Sequence, residues 1–328
     1  PAPLARVVDR LRALGAGDIP VFGGGGGTIT KADERVMQRQ GTDRIYFAGT
    51  PLDAMMAERI CRRGAMVVTS FDFMGQISDT LGDTFLDADR TLEGDVIVEG
   101  ILRVAPGVTL TLLPGSRLFF TFRDTDGDGI GENGIFLQGN LRAKGTASLP
   151  IGFYPADGAG PGRWDSINFM ASDRGENVLE HVEITGAYRG LHAHFSRLEG
   201  KEVRISRSYR GAQFQESEVT LSGLSVSASS SAVRCRDSDV RIDGFRVDGT
   251  VSGGNFFRSR VALRGVSIDR SGWYGFRFRE SRAAWEGGEV ARTLVGLSVQ
   301  EGPVRLDAVR VSHPGLAAVA VQDGDVTL

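Results

Sequence analysis

The feature that most constrains this chain is a register mark that recurs through its C-terminal half. Ser196, Ser217, Ser238, Ser259, Ser281, Gly302 and Gly324 are separated by 21, 21, 21, 22, 21 and 22 residues. An apolar–x–apolar pattern follows each mark. A period this short does not suit most helical repeats and matches one coil of a solenoid. Three alternating stretches fill each period. The one before the mark carries Leu191/Ala193, Ala212/Phe214, Val233/Cys235, Phe276/Phe278, Leu297/Val299 and Val319/Val321. The one after it carries Val219/Leu221, Val240/Ile242, Val261/Leu263, Val304/Leu306 and Val326/Leu328. A third carries Val182/Ile184, Leu224/Val226, Phe245/Val247, Val266/Ile268 and Val309/Val311. Alternation with period two excludes amphipathic helices. Three strands per coil then specify a mainly β fold, a triangular parallel β-helix whose apolar side chains stack into an inner column.

Composition narrows the function classes. A formal net charge of -3 gives no reason to expect nucleic acid as a partner. The 45 glycines are roughly twice average usage and sit mostly at corners between short strands. Cys61 and Cys235 offer neither a disulfide framework nor a metal spacing. No apolar run is long enough to span a bilayer. The first residues lack a signal-peptide pattern, no initiating Met is present, and the last residues stop inside a strand pattern. The chain therefore reads as a segment of a longer product.

Residues 1–65 read differently, as alternating helix and strand. Leu4, Val7, Val8, Leu11 and Leu14 share one helical face, and Ile19–Phe22 is a short buried strand before the run Gly23–Gly27. Thr30 caps a second helix, Arg44–Phe47 is the next strand, and Thr50-Pro51 opens a third helix, Leu52 to Arg63. The order implies the end of a parallel α/β sheet, a partial Rossmann-like unit. The stretch Leu14 to Ile29, with Gly41 to Leu52, resembles the C-terminal half of the cobalamin-binding domain of methylmalonyl-CoA and isobutyryl-CoA mutases. The likeness covers about a fifth of the chain. It implies that Gly24, Gly25, Gly26, Gly27, Gly49 and Thr50 line the nucleotide tail of cobalamin. The family's Asp-x-His-x-x-Gly motif does not occur in residues 1–65, and no mutase barrel follows. A tight strand-to-helix turn that binds nothing is the alternative.

Residues 66–90 read as a linker that becomes a cap, and residues 91–328 as the solenoid, regular from about 176. This part resembles right-handed parallel β-helix proteins of bacterial surface and secreted proteomes. The residues that carry the likeness are Gly139-Asn140-Leu141-x-Ala143-x-Gly145-Thr146 and Pro150-Ile151.

Asp124-Thr125-Asp126-Gly127-Asp128-Gly129-Ile130-Gly131-Glu132 is the strongest chemical signal. Carboxylates at alternate positions with Gly at the sixth follow the start of an EF-hand-type loop. Asp124, Asp126 and Asp128, the carbonyl of Ile130, and Glu132 are the expected calcium ligands. The twelfth position is Ile135, so a distant carboxylate such as Asp157 is the candidate replacement. His192 and His194 lie two apart on an outward strand face, with no third metal ligand in view, and read as a solvated pair. The same outward column continues through Gln213 and Gln215, Arg234 and Arg236, Asn255, Arg277 and Arg279, and Gln300. Such a strip suits an extended, often anionic polymer such as a polysaccharide, and the alternative is an ordinary outward face, which must be polar in any case. Asp165, Asp173, Asp237, Asp239 and Asp243 are scattered and form no acid/base pair. Tyr188 and Tyr209, with Arg189 and Arg210, read as a corner ladder.

Three functions follow. The first is a non-catalytic, calcium-stabilised binding or scaffold protein. The second is a carbohydrate-active lyase or hydrolase on a β-helix. The third is a truncated cobalamin-binding protein. The β-helix implies an extracellular or envelope address, whereas the N-terminal part implies the cytoplasm.

Overall fold

The computed structural model describes residues 22–24, 38, 44–46, 77–172 and 175–328. The chain forms two compact units, Pro1–Gln76 and Ile77–Leu328. In the first, strands Phe22–Gly24 and Arg44–Tyr46 pair in parallel, with Gly24 opposite Tyr46. The helices expected around them, together with Gly25, Gly26, Gly27, Gly49 and Thr50, lie outside the described residues.

The second unit is mainly β, a parallel solenoid of about 12 turns. Its strands form three stacks. Asp95–Val98 lies between Ile77–Leu81 and Arg117–Phe120. Ile101–Val104 lies between Thr84–Leu86 and Gly134–Leu137, and Thr109–Leu112 between Arg90–Leu92 and Asn140–Lys144. Parallel pairing thus already runs through Ile77–Leu92, inside the stretch read from sequence as a linker or cap. From Val178–Thr185 onward two of the three stacks join into one bent strand, which pairs with both Asn140–Lys144 and Ile151–Pro155.

Each bend is a residue held at positive φ. One corner runs Phe195, Glu216, Asp237, Arg258, Glu280; a second His181, Glu202, Gly223, Gly244, Gly265; a third Gly186, Arg207, Ala228, Gly249, Arg270. A left-handed conformation costs a non-glycine residue roughly 1–2 kcal/mol. The corner stays in the hydrogen-bond ladder and so offsets that cost. The amides of Phe195, Glu216 and Asp237 donate to Gln215, Arg236 and Phe257 of the next turn at 3.0–3.1 Å.

The serine marks follow directly after the first corner. Each hydroxyl donates to the carbonyl two residues back and accepts the amide of the serine one turn earlier. Ser217, for example, donates to Gln215 O at 2.7 Å and accepts from Ser196 N at 3.1 Å. The ladder continues through Ser238, Ser259 and Ser281 and closes upstream on Ser172. A second buried hydroxyl row, Ser208, Ser229, Thr250, Ser271 and Thr293, follows the third corner and was not read from the sequence.

Inside, the expected apolar pairs are buried from Leu191/Ala193 through Leu297/Val299, and Val304/Leu306 is buried as well. In the final turn the pattern weakens. Val309 and Val311 are half-buried, and Val319 and Val321 are 38% and 49% exposed, because no described rung lies over them. Phe276 packs edge-on to Trp285 at 5.1 Å, and Phe256 stacks on Phe278 at 5.1 Å.

Candidate functional site

The acidic loop leaves the stacks between strands Arg117–Phe120 and Gly134–Leu137. Gly127 and Gly129, at φ 78° and 82°, fold it back on itself. Their amides donate to the two Asp124 oxygens at 2.8 and 2.9 Å. The amides of Asp128 and Ile130 donate to Asp126 and Asp128 at 3.2 and 2.8 Å. These turns gather one oxygen from each of Asp124, Asp126 and Asp128 within 4.8 Å of one another. Three carboxylates so close repel unless a cation shares them, and an all-oxygen set suits a hard divalent ion.

Of the other candidate ligands, Glu132 and Asp157 have partners within the chain. Glu132 accepts the Thr125 amide at 2.7 Å and the Thr125 hydroxyl, which hold its carboxyl below the usual range. Asp157, the candidate replacement, pairs with Arg163 at 3.2 Å. Arg123 anchors the loop to the first turn through Asp83 at 2.9 Å.

The polar strip occupies one outer face. One row runs Asn168, His192, Gln213, Arg234, Asn255, Arg277 and Ser298 in register. The next runs Met170, His194, Gln215, Arg236, Phe257, Arg279 and Gln300. Sequence reasoning missed Asn168 as the first member. The step from Ser172 to Ser196 is 24 residues, which hides it from a 21-residue period.

One sequence expectation changes here. The histidines are not a solvated pair. His192 is only 6% exposed, and neither ring nitrogen has a hydrogen-bond partner. Burial first, then the Arg189 guanidinium, lowers its pKa to about 4. The Gln215 amide opposes this weakly without reaching hydrogen-bond geometry. The first corner carries carboxylates along the edge of the strip. Glu216 lies 2.6 Å from His194 Nε2 and 3.8 Å from Arg236, and Asp237 lies 3.4 Å from Arg236.

Inside that edge the charge is uncompensated. Among the described residues, Arg210, Arg234, Arg277 and Arg279 form no ion pair with a carboxylate. Arg210 instead donates to Gln213 at 2.7 Å and Arg277 to Gln300 at 3.3 Å. Arg279 lies 4.6 Å over the Phe257 ring, and Tyr188 stacks on Tyr209 at 5.1 Å beneath Arg210. Burial, then repulsion from Arg210, makes Arg234 easier to deprotonate than an ordinary arginine. A recess of about 230 Å³ opens among Arg210, Gln213, Arg234, Asn255, Phe257 and Arg279.

Ten buried side-chain N and O atoms among the described residues have no partner within the chain, and seven of them lie on this face. They are Asn168 Oδ1, Arg189 Nε, both His192 nitrogens, Asn255 Oδ1, Arg277 Nε and Arg279 Nε. A buried polar atom left unpaired costs about 1–3 kcal/mol. Their concentration on one face marks it as unlike the rest of the solenoid.

Compared with known proteins, the chain matches no family model, no curated protein and no solved structure. The resemblance to cobalamin-binding domains therefore has no support from these comparisons. What the residues do must be argued from their own chemistry.

Proposed function

We propose that this chain is a non-catalytic binding or scaffold protein built on a right-handed, three-strand-per-coil parallel β-helix. It presents the Arg/Gln/His face to an extended acidic polymer such as a polysaccharide, and calcium occupies the Asp124–Asp126–Asp128 loop. Right-handed winding follows the near-universal hand of parallel crossover connections. The observation that carries the reading is the set of four arginines on one outer face, Arg210, Arg234, Arg277 and Arg279, that form no ion pair with a carboxylate among the described residues, three of them lining one recess.

Four arginines without carboxylate partners make an acidic ligand the better match. Binding is preferred to hydrolysis or elimination because the nearby carboxylates are already committed. Asp165 pairs with Arg189 at 3.4 Å, Glu216 with His194, and Asp237 with Arg258 at 2.8 Å. An extracellular or envelope address belongs to the same proposal.

Affinity electrophoresis through gels containing polygalacturonate or neutral dextran tests this. The acidic gel should retard the protein and the neutral gel should not. Arg277→Gln/Arg279→Gln should weaken retardation about tenfold, the effect of losing a charge-assisted hydrogen bond. Equal retardation by dextran, or full retention by the variant, would overturn the reading.

A further inference from the structure

A second recess, of about 670 Å³, lies on a different stack, the one formed by the stretches after the serine marks. Its floor is two alanines. The outward column there runs Glu199, Thr220, Arg241, Ala262, Ala284, Arg305 from turn to turn. Glu199, Arg241 and Arg305 stand in the same column, so the fold does not require alanine. Two consecutive methyl groups leave a dent, with Arg241 and Arg305 at its ends. Those ends are three rungs apart, roughly 14 Å at ordinary strand spacing.

The side wall is Arg260 and Arg282, which lie directly opposite each other on neighbouring rungs. Like charges in that position destabilise a sheet. Around them the solenoid pairs opposites: Arg197 with Glu218 at 2.6 Å, and Arg264 with Glu286 at 2.9 Å. The wall departs from this rule. Asp239 is the only carboxylate among the recess-lining residues. It is shared between Arg241 at 3.4 Å and Arg260 at 3.0 Å. Arg282 and Arg305 have no ion pair among the described residues. Four guanidinium groups thus surround a dent that holds one carboxylate.

We propose that this dent is a binding site for an acidic oligosaccharide, whose carboxylate or sulfate groups bridge Arg282 and Arg305 while its body lies over Ala262 and Ala284. The recess is shallow and open, which suits a sugar chain lying across it. Two uncompensated cations call for more than one anionic group, and the open alanine floor leaves room for the units that connect them. The site is separate from the polar strip and does not depend on it.

Calorimetry on the full chain carrying Arg210→Gln, Arg234→Gln, Arg277→Gln and Arg279→Gln removes all four unpaired arginines of the strip. Trigalacturonate should bind this background and neutral maltotriose should not. Adding Arg282→Gln/Arg305→Gln should weaken binding at least about tenfold. Adding Ala284→Glu should abolish it without lowering the melting temperature, since Glu199 occupies the same column. Inorganic sulfate should compete only weakly. The proposal is overturned if trigalacturonate fails to bind the strip-substituted chain, if Ala284→Glu retains binding, if maltotriose binds equally, or if sulfate alone binds as tightly as the trimer. Loss of trimer binding on strip substitution alone would leave the strip reading standing and remove this one.

Discussion

His192 ties the stability of the polar strip to pH. It is 6% exposed, and its pKa falls to about 4 through burial, Arg189 and His194. Arg210, one rung on, adds to the repulsion. An unfolded histidine titrates near 6.5. Between these values the unfolded chain takes up a proton that the folded chain refuses. The contribution is therefore fully present above about pH 6.5, is lost as pH falls toward about 4, and levels off below that. At 1.36 kcal/mol for each tenfold change in proton affinity, the loss is on the order of 3 kcal/mol. His192→Gln isolates it, because Gln213 already places an amide in the same column. Urea unfolding of both chains at about pH 7 and about pH 4 should show the variant gaining on the wild type by that amount. Carboxylates held low by arginine, such as Asp237 and Asp269, affect both chains equally and cancel in the difference. A variant whose stability follows the wild type in parallel over this range would refute the burial argument. A bound acidic polymer would also favour the imidazolium. Binding to polygalacturonate should then tighten as pH falls from about 7 to about 5, and His192→Gln should flatten that trend.

Two further outcomes test the framework. Ser238→Ala removes the acceptor of the Ser217 amide, while the Arg236 carbonyl keeps the Glu216 amide. One buried donor is orphaned, so stability should fall by about 1–2 kcal/mol. Hydrogen exchange should quicken at Ser217 but not at Ser196, whose acceptor is the untouched Ser217 hydroxyl. Calcium at millimolar concentration should raise the melting temperature, and Asp124→Asn, which removes a charge from the cluster, should diminish the rise. An unchanged melting temperature in calcium would remove the metal from the account.

The fold was legible because inward alternation and the serine marks are local signals. A Val-x-Ile or Phe-x-Phe pair declares its face within three residues, and the hydroxyl after each corner repeats at a fixed step. The second hydroxyl row was harder to see, since it mixes serine with threonine and has no constant neighbour. The candidate sites were legible only as columns. Arg234, Arg277 and Arg279 could be aligned, but the burial of His192 depends on side chains one turn above and below it. Asp237 could be named from the sequence, but its place with Glu216 along the edge of the strip could not be read, because corner residues fall outside the alternating pattern. Glu132 matched a calcium-loop position in sequence, and only the structure shows that Thr125 donates to one of its carboxylate oxygens.

By itself the sequence determined short alternating strands that repeat with the period of one coil, so that each apolar pair can stack on its equivalent one turn away. The tertiary structure alone decided which polar groups meet. Neighbours across a rung are 21 to 24 residues apart, and a few inserted residues change who faces whom. Whether Arg260 confronts a carboxylate or another arginine is a matter of that stacking, and so is the charge that each face leaves for a partner.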